Sequence, residues 1–441
     1  MRTVSTTREA VRRLGARELT LALAVCLLPS ACGDDGELSE PLQELAGKEH
    51  DLLCEQLNAT VGLNDGYDVP GDAGAPRWGM PETAPATRRV RRSWTSLDGA
   101  EKRRVADAFL ALKNVTVDSG DPGSARADYN SFCGELGLDG YPRNLYDYYV
   151  EAHANAFVSM MTPYQGHDSM AHMAPQFVVW HRYLLLRMET DVREAIGDPE
   201  FALPYWDWTD CYSDGTLDET CAPIFEPEYL GSAGSCEDGA KSAGGYLTDQ
   251  GFTVHLFTNG ESAFSPDSIV CGARPFERAV GCSEYVDGPP DGAAIAGIFE
   301  RAVYDAEPYD ACNTDQDVSF RQYLEGFSND ETRPYCIATG CAMHGRGHGY
   351  VGGDMDGSSA SPNDPIFFLH HAQVDRLWAA WQEANLAGGD EERAADYGNP
   401  GFPEDYLGPL FIFGQVSASE LLDYKSLGYE YDSLPQAAYA E

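Results

Sequence analysis

A chain of 441 residues with 43% hydrophobic and 11% aromatic residues can bury a large core, which excludes wholesale disorder. A formal net charge of -41 excludes electrostatic attraction to nucleic acid or to anionic membrane surfaces. The acidity reads as a solvated exterior rather than a substrate-binding field.

The N-terminus departs from this pattern. Arg2, Arg8, Arg12, Arg13 and Arg17 precede an apolar run over 19–28, and Ser30, Ala31 and Cys32 follow. Basic, apolar, then small is the order of a secretory signal, so residues 1–32 are expected to be a signal peptide. The apolar run is too short to span a bilayer as an ordinary helix. L-L-P-S-A-C resembles a lipoprotein cleavage site, with Cys32 as the lipidated residue and Pro29 where an aliphatic residue is usual. The expected location is therefore outside the cytoplasm, as a cell-envelope lipoprotein or a secreted protein.

The chain has 12 cysteines. Setting aside Cys26 in the apolar run and Cys32 at its end leaves an even number, which fits disulfides in an exported chain. Spacing does not fix their pairing. There is no C-x-x-C pair, so neither a zinc ribbon nor a thioredoxin-like redox pair is indicated. Any metal must be held by imidazole rather than thiolate.

In chain order, 33–135 reads as an N-terminal extension. It holds one amphipathic helix over 38–57, a Gly/Pro/Asp-rich linker, and a helix over 98–113 set by Val105, Phe109 and Leu112. Tyr141-Pro142 opens the next helix, which runs to about Met161 and carries His153 on a stripe with Tyr146, Tyr149, Phe157 and Met160. Pro175 starts another helix that ends at Gly197. His172 and His181 lie nine residues apart, on opposite faces if both were mid-helix. Pro175 places His172 in the entry loop instead, where it can fold back over the His181 face.

Residues 201–208, F-A-L-P-Y-W-D-W, form an aromatic cluster in a strand or loop. Residues 209–335 read as a cysteine-rich insertion with short helices over 293–304 and 320–327. His344 and His348 sit one helical turn apart, on a helix ending at Gly352-Gly353. Asp364 caps a helix that begins at Pro365 and carries His371, Asp375, Trp378 and Trp381 to Gly388. The closing G-Y-E-Y-D looks like a strand or turn over the core.

Eight of the 10 histidines fall within 153–181 or 344–371. Two compact clusters in four expected helices imply a bundle core lined by imidazoles. Three imidazoles per metal suit copper, zinc, iron or nickel, and spacing alone leaves copper and zinc equally open. A three-histidine zinc hydrolase is the rival on these residues.

At these residues the sequence resembles the tyrosinase, catechol oxidase and haemocyanin group with type 3 copper centres. The resemblance rests on H-x4-F-V-V-W-H-R from His172, D-P-I-F-F-L-H-H-A-Q-V-D from Asp364, H-A-N-A-F at His153, P-Y-W-D-W at 204–208 and G-Y-E-Y-D. It covers roughly 140–210 and 336–432. It implies a mainly α fold with a four-helix bundle core, long loops and the disulfide-rich insertion, all within a copper-binding domain over 136–435.

The resemblance also implies two copper ions. The first would be held by His153, His172 and His181, and the second by His344, His348 and His371, with His371 chosen over His370. His50, His167, His255 and His370 are then surface or supporting residues. Arg182 and Asp375 are expected to orient ligands. Glu189 reads as a helix-face ion pair.

The implied reaction is oxidation of o-diphenols to o-quinones with dioxygen, with hydroxylation of monophenols as a further activity. The alternatives are o-aminophenol oxidation and, without catalysis, haemocyanin-like oxygen binding. Gly345 and Gly349 follow two ligands where efficient monophenolases carry a polar residue after the first, so they and Ser358 are the expected substrate-access positions. Met170 stands where fungal and plant relatives carry a thioether cysteine, so no such crosslink is expected. Partners are a phenolic small molecule and dioxygen, with a lipid anchor through Cys32. Whether a separate protein delivers the copper is left open.

Overall fold

The computed structural model describes residues 80, 87–117, 144–158, 171–172, 174–213, 215–218, 221, 223–236, 241–258, 269–283, 286–306, 319–326, 342–356, 358–387, 410 and 416–436. The signal peptide, Cys32, the helix over 38–57, His50, His167 and Met170 lie outside them.

Strand β1 (Arg89–Arg91) runs parallel to strand β4 (Tyr429–Tyr431), with Arg91 opposite Tyr431. Alternation along β1 turns Arg91 fully inward and leaves Val90 41% exposed. Of the strand or turn expected at the closing G-Y-E-Y-D, the strand is the one present.

Helix α1 (Gly99–Asn114) begins with a capping box. Asp98 accepts from the Ala100 and Glu101 amides, and Glu101 accepts from the Asp98 amide. Its buried face is Val105, Ala106, Ala108, Phe109 and Leu112, and it packs on α2 and α3. The described part of the 33–135 extension is therefore built into the core rather than appended to it.

Helix α2 (Leu145–Val158) starts where Asn144 accepts the Asp147 amide. Asn144 caps the described part of the helix, and Pro142, expected to open it, lies outside the described residues. Helix α3 (Phe177–Ile196) ends at Gly197, whose φ of 67° is the left-handed cap that glycine adopts without a Cβ clash.

The 209–335 insertion contributes short pieces. Strands β2 (Val254–Thr258) and β3 (Ile269–Arg274) pair antiparallel. Disulfides join Cys211 to Cys221 and Cys236 to Cys282. The expected helix over 293–304 is a short turn, Gly292–Ala296, continued as a tighter 3-10 turn to Glu300. Helix α4 (Phe320–Glu325) matches the second expected helix and ends at Gly326. Leu256, Phe276, Ile298, Tyr304 and Phe320 belong to the same buried cluster as Phe109, Trp180 and Trp378. The insertion completes one core rather than forming its own.

Helix α5 (Met343–Val351) is short and stops at Gly352, as expected. A 3-10 turn, Ser358–Asn363, leads to helix α6 (Ile366–Ala387). Asp364 accepts the Ile366 amide at 3.0 Å and so caps α6 as expected, but it also takes a two-pronged ion pair from buried Arg278 of the insertion. Helix α3 packs on α6, α2 on the 3-10 turn, and α4 on α5. The four histidine-bearing segments of α2, α3, α5 and α6 meet at the centre of this arrangement.

Candidate metal centre

Two groups of imidazoles converge, with ligand atoms in each group within 4.8 Å of one another. The first is His153, His172 and His181. His153 lies on α2, His172 in the turn before α3, and His181 one turn into α3. Ring centroids of His172 and His181 are 4.9 Å apart, so the entry turn folds back as the Pro175 argument requires. His153 lies 4.8 Å from His172 and 5.6 Å from His181.

The second group is His344, His348, His370 and His371. His344 and His348 have ring centroids 4.5 Å apart across one turn of α5, and His371 joins them from α6 at 4.9 and 5.6 Å. The groups touch: His181 and His371 stack at 4.1 Å with 7° between their planes. Phe367 packs on both groups, with its centroid 5.0 Å from His153 and 4.2 Å from His371.

Backbone carbonyls fix the tautomers. A carbonyl oxygen only accepts, so a ring nitrogen facing one carries the proton and the other nitrogen carries the lone pair. Nδ1 of His153 donates to Ser359 O at 2.8 Å, that of His181 to Phe177 O at 2.8 Å, that of His344 to Glu325 O at 3.2 Å and that of His348 to Met355 O at 2.8 Å. In all four, Nε2 carries the lone pair that a metal could take. Nε2 of His344 and Nε2 of His348 face each other at 3.0 Å, two lone pairs that a cation between them would reconcile. Nε2 of His181 and both ring nitrogens of His371 are buried without a hydrogen-bond partner, which a metal would supply.

Burial keeps these rings neutral. It pushes His153 down to about 3 and His348 to about 4. His172, His181, His344 and His371 fall well below the ordinary imidazole value, first through burial and then through neighbouring imidazoles. Neutral rings keep their lone pairs at ordinary pH. Neutral imidazoles in two such groups, joined by no thiolate among the described residues, fit copper or zinc.

Asp375 and Arg182 do not touch an imidazole. Asp375 accepts from Arg182 Nε at 2.5 Å, Arg91 Nη1 at 3.0 Å, and the Tyr429 and Tyr431 hydroxyls at 2.6 Å each. Burial alone would raise its carboxyl, but Arg182 and Arg91 together with the two hydroxyls hold it below the ordinary value. Arg182 lies 3.7 Å over the Trp378 ring and donates to the Leu421 and Leu422 carbonyls. These groups fix α3, α6 and β1 relative to one another, and so set the ligand-bearing helices rather than the ligands. Glu189 makes the expected pair along its own helix face, with Arg193 at 4.0 Å, and a closer one across elements with Arg91, at 2.9 and 3.1 Å.

His370 is buried, not on the surface. Its Nδ1 accepts from the Trp208 indole at 3.1 Å. His255, on β2, bonds Asp147 at 2.7 Å. Gly345 is buried beside His344. A Cβ at Gly349 would lie 3.0 Å from a Val286 methyl, so that position is closed by Val286. Ser358 opens the turn whose next residue, Ser359, holds His153.

Sequence reasoning missed Arg91, Trp208 and the four carbonyl acceptors. Arg91 stood in the basic run R-R-V-R-R, which reads as exposed. Trp208 was visible only as part of an aromatic cluster. Main-chain acceptors leave no trace in side-chain identity.

Comparison with known proteins matches residues 143–384 to the common central domain of tyrosinase. The chain is 30% identical over 313 residues to a tyrosinase of Streptomyces antibioticus, covering 70% of this chain and 89% of that one. It is 26% identical over 298 residues to the grixazone synthase of Streptomyces griseus, covering 66% and 84%. Among solved structures, a polyphenol oxidase from Thermothelomyces thermophila superposes with a TM-score of 0.55 at 20% identity, covering 89% of this chain and 97% of that one. That likeness shows a shared fold.

Proposed function

The chain belongs to the tyrosinase family and is a type 3 copper oxidoreductase, and on that premise we propose that it oxidises o-diphenols to o-quinones with dioxygen, with little hydroxylation of monophenols. The observation that carries the reading is the contact of the three-imidazole group with the four-imidazole group through the His181–His371 stack. His153, His172 and His181 hold one copper, and His344, His348 and His371 the other. When bound, the two coppers supply dioxygen binding and two-electron redox chemistry. Two diphenols and one dioxygen then give two quinones and two waters, each diphenol losing two electrons and two protons.

The protein's own contribution is to hold neutral Nε2 atoms in place through four carbonyls and to keep water from the rings by burial. Hydroxylation of a monophenol needs a base or an oriented water to take the phenol proton. Gly345, directly after His344, offers no side-chain group to orient one. Gly349 offers none either, and Val286 lies against it.

The test is a substrate series on copper-loaded protein: catechol, L-DOPA, o-aminophenol, tyramine and tyrosine. Quinone from the diphenols with slow, lagging turnover of tyrosine supports the reading. Rapid tyrosine hydroxylation without a lag refutes it.

We also propose export and attachment through lipidated Cys32. The described disulfides support the export, since such bonds persist outside the cytoplasm. No described helix is long and apolar enough to cross a membrane. Cys32→Ser should move the chain from the membrane fraction to the medium; a wild-type chain already free in the medium would refute the anchor.

A further inference from the structure

His370 and His371 are neighbours on α6, and both reach the second imidazole group. His370 lies 5.2 Å from His344 and 4.7 Å from His348, ring centre to ring centre, about as near as His371. Four imidazoles on one copper would fill a tetrahedral site and leave no position for dioxygen. Distance alone does not choose between the two rings.

We propose that Trp208 makes the choice: its indole N–H closes His370 to metal and leaves His371 as the third ligand. The inference rests on the ligand set proposed above. An indole nitrogen only donates, so at 3.1 Å it must find a lone pair on Nδ1 of His370. The neutral ring has one proton and one lone pair, so its proton sits on Nε2. Neither nitrogen can then coordinate. A doubly protonated ring is excluded as well, because its Nδ1–H would meet the indole N–H head-on. His371 has no hydrogen bond at either nitrogen, and its lone pair is uncommitted.

The fold holds the donor where this requires. The Trp206 amide donates to Leu369 O at 3.0 Å, and Asp207 accepts from Arg376 at 2.8 Å. Both partners are on α6, Leu369 directly before His370 and Arg376 within two turns after it, so the P-Y-W-D-W segment is clamped to the helix it polices. The other face of His370 lies on Gly347, where a Cβ would come within 2.3 Å of the ring. The ring is held between an indole and a glycine and cannot swing to offer another tautomer.

Trp208→Phe keeps an aromatic ring and removes the donor. Copper analysis should still find two ions per chain, with the second resisting a Cu(I) chelator about tenfold longer than in the wild type. The absorption band that appears on exposure to dioxygen should fall. A merely structural role for Trp208 predicts the opposite for copper, namely faster loss. The double variant Trp208→Phe/His370→Phe should restore both the band and the wild-type chelation rate. Trp206→Phe, which removes an indole nitrogen that makes no hydrogen bond, should change neither.

A Trp208→Phe protein with wild-type chelation and band overturns the proposal, and so does one that loses copper faster. His370→Phe keeps the test open if Trp208→Phe does not fold: it should retain two coppers and the band, and loss of the second copper would make His370 itself the ligand. Fewer than two coppers in the wild-type chain would instead overturn the ligand set, and this inference with it.

Discussion

Asp375→Asn removes one charge from a buried carboxylate that accepts four hydrogen bonds and leaves its shape. In the wild type, this carboxylate faces Arg182 at 2.5 Å and Arg91 at 3.0 Å and takes two tyrosine hydroxyls at 2.6 Å. Arg91 would keep Glu189 as an anionic partner, but Arg182, with its side chain fully buried, would lose its only anionic partner among the described residues. Breaking a buried ion pair from one side costs about 3–5 kcal/mol, because the orphaned charge stays desolvated. Asparagine still accepts one or two of the hydrogen bonds, so the lower half of that range is expected.

Denaturant unfolding of the copper-loaded protein should show a lower midpoint with an unchanged slope. The pH dependence has a definite sign. A carboxyl held below its ordinary value of 3.8 contributes stability that is present above that value and lost as the pH falls through its folded value. The gap between wild type and variant should therefore narrow in acid. Copper content of the folded variant should stay at two ions, since Asp375 bonds no imidazole. A loss of less than about 1 kcal/mol, or a folded variant missing one copper, would refute the account of Asp375 as a clamp between helices.

Three other outcomes follow from the site. His371→Ala should leave one copper per chain by metal analysis and abolish quinone formation, whereas two retained coppers would remove His371 from the ligand set. The copper-free protein should lose stability as the pH falls below 6.5, by about 1.4 kcal/mol per unit for each histidine held neutral, with the loss continuing toward the values of about 4 for His348 and about 3 for His153; a flat acid limb in urea titrations would contradict their burial as neutral rings. Gly349→Leu should destabilise by about 1–3 kcal/mol, since its first carbon already lies 3.0 Å from Val286. A variant of wild-type thermal midpoint would show that Val286 yields freely.

Much of the site was legible because metal chemistry restricts residue type and helices restrict spacing. His344 and His348 one turn apart, Pro175 between His172 and His181, and Asp364 before a long apolar helix all carry their geometry in one dimension. The ends of α3 and α5 were legible for the same reason, since Gly197 and Gly352 mark stops that glycine makes at no steric cost. What was not legible depends on contacts far apart in sequence. Arg91 reads as one more surface cation until β1 meets β4, more than three hundred residues away, and places it between Glu189 and Asp375. The 209–335 insertion looks like an excursion until Arg278 grips Asp364 and Glu325 offers its carbonyl to His344.

The sequence by itself determined which residues could bind metal and which helices would carry them, because periodicity and capping are local. The tertiary structure decided which nitrogen carries the lone pair on His153, His181, His344 and His348 and set neighbouring His370 and His371 apart. That choice is made by hydrogen-bond donors and acceptors from other elements, a carbonyl beneath each of four rings and an indole against a fifth, and those partners meet only once the chain has folded.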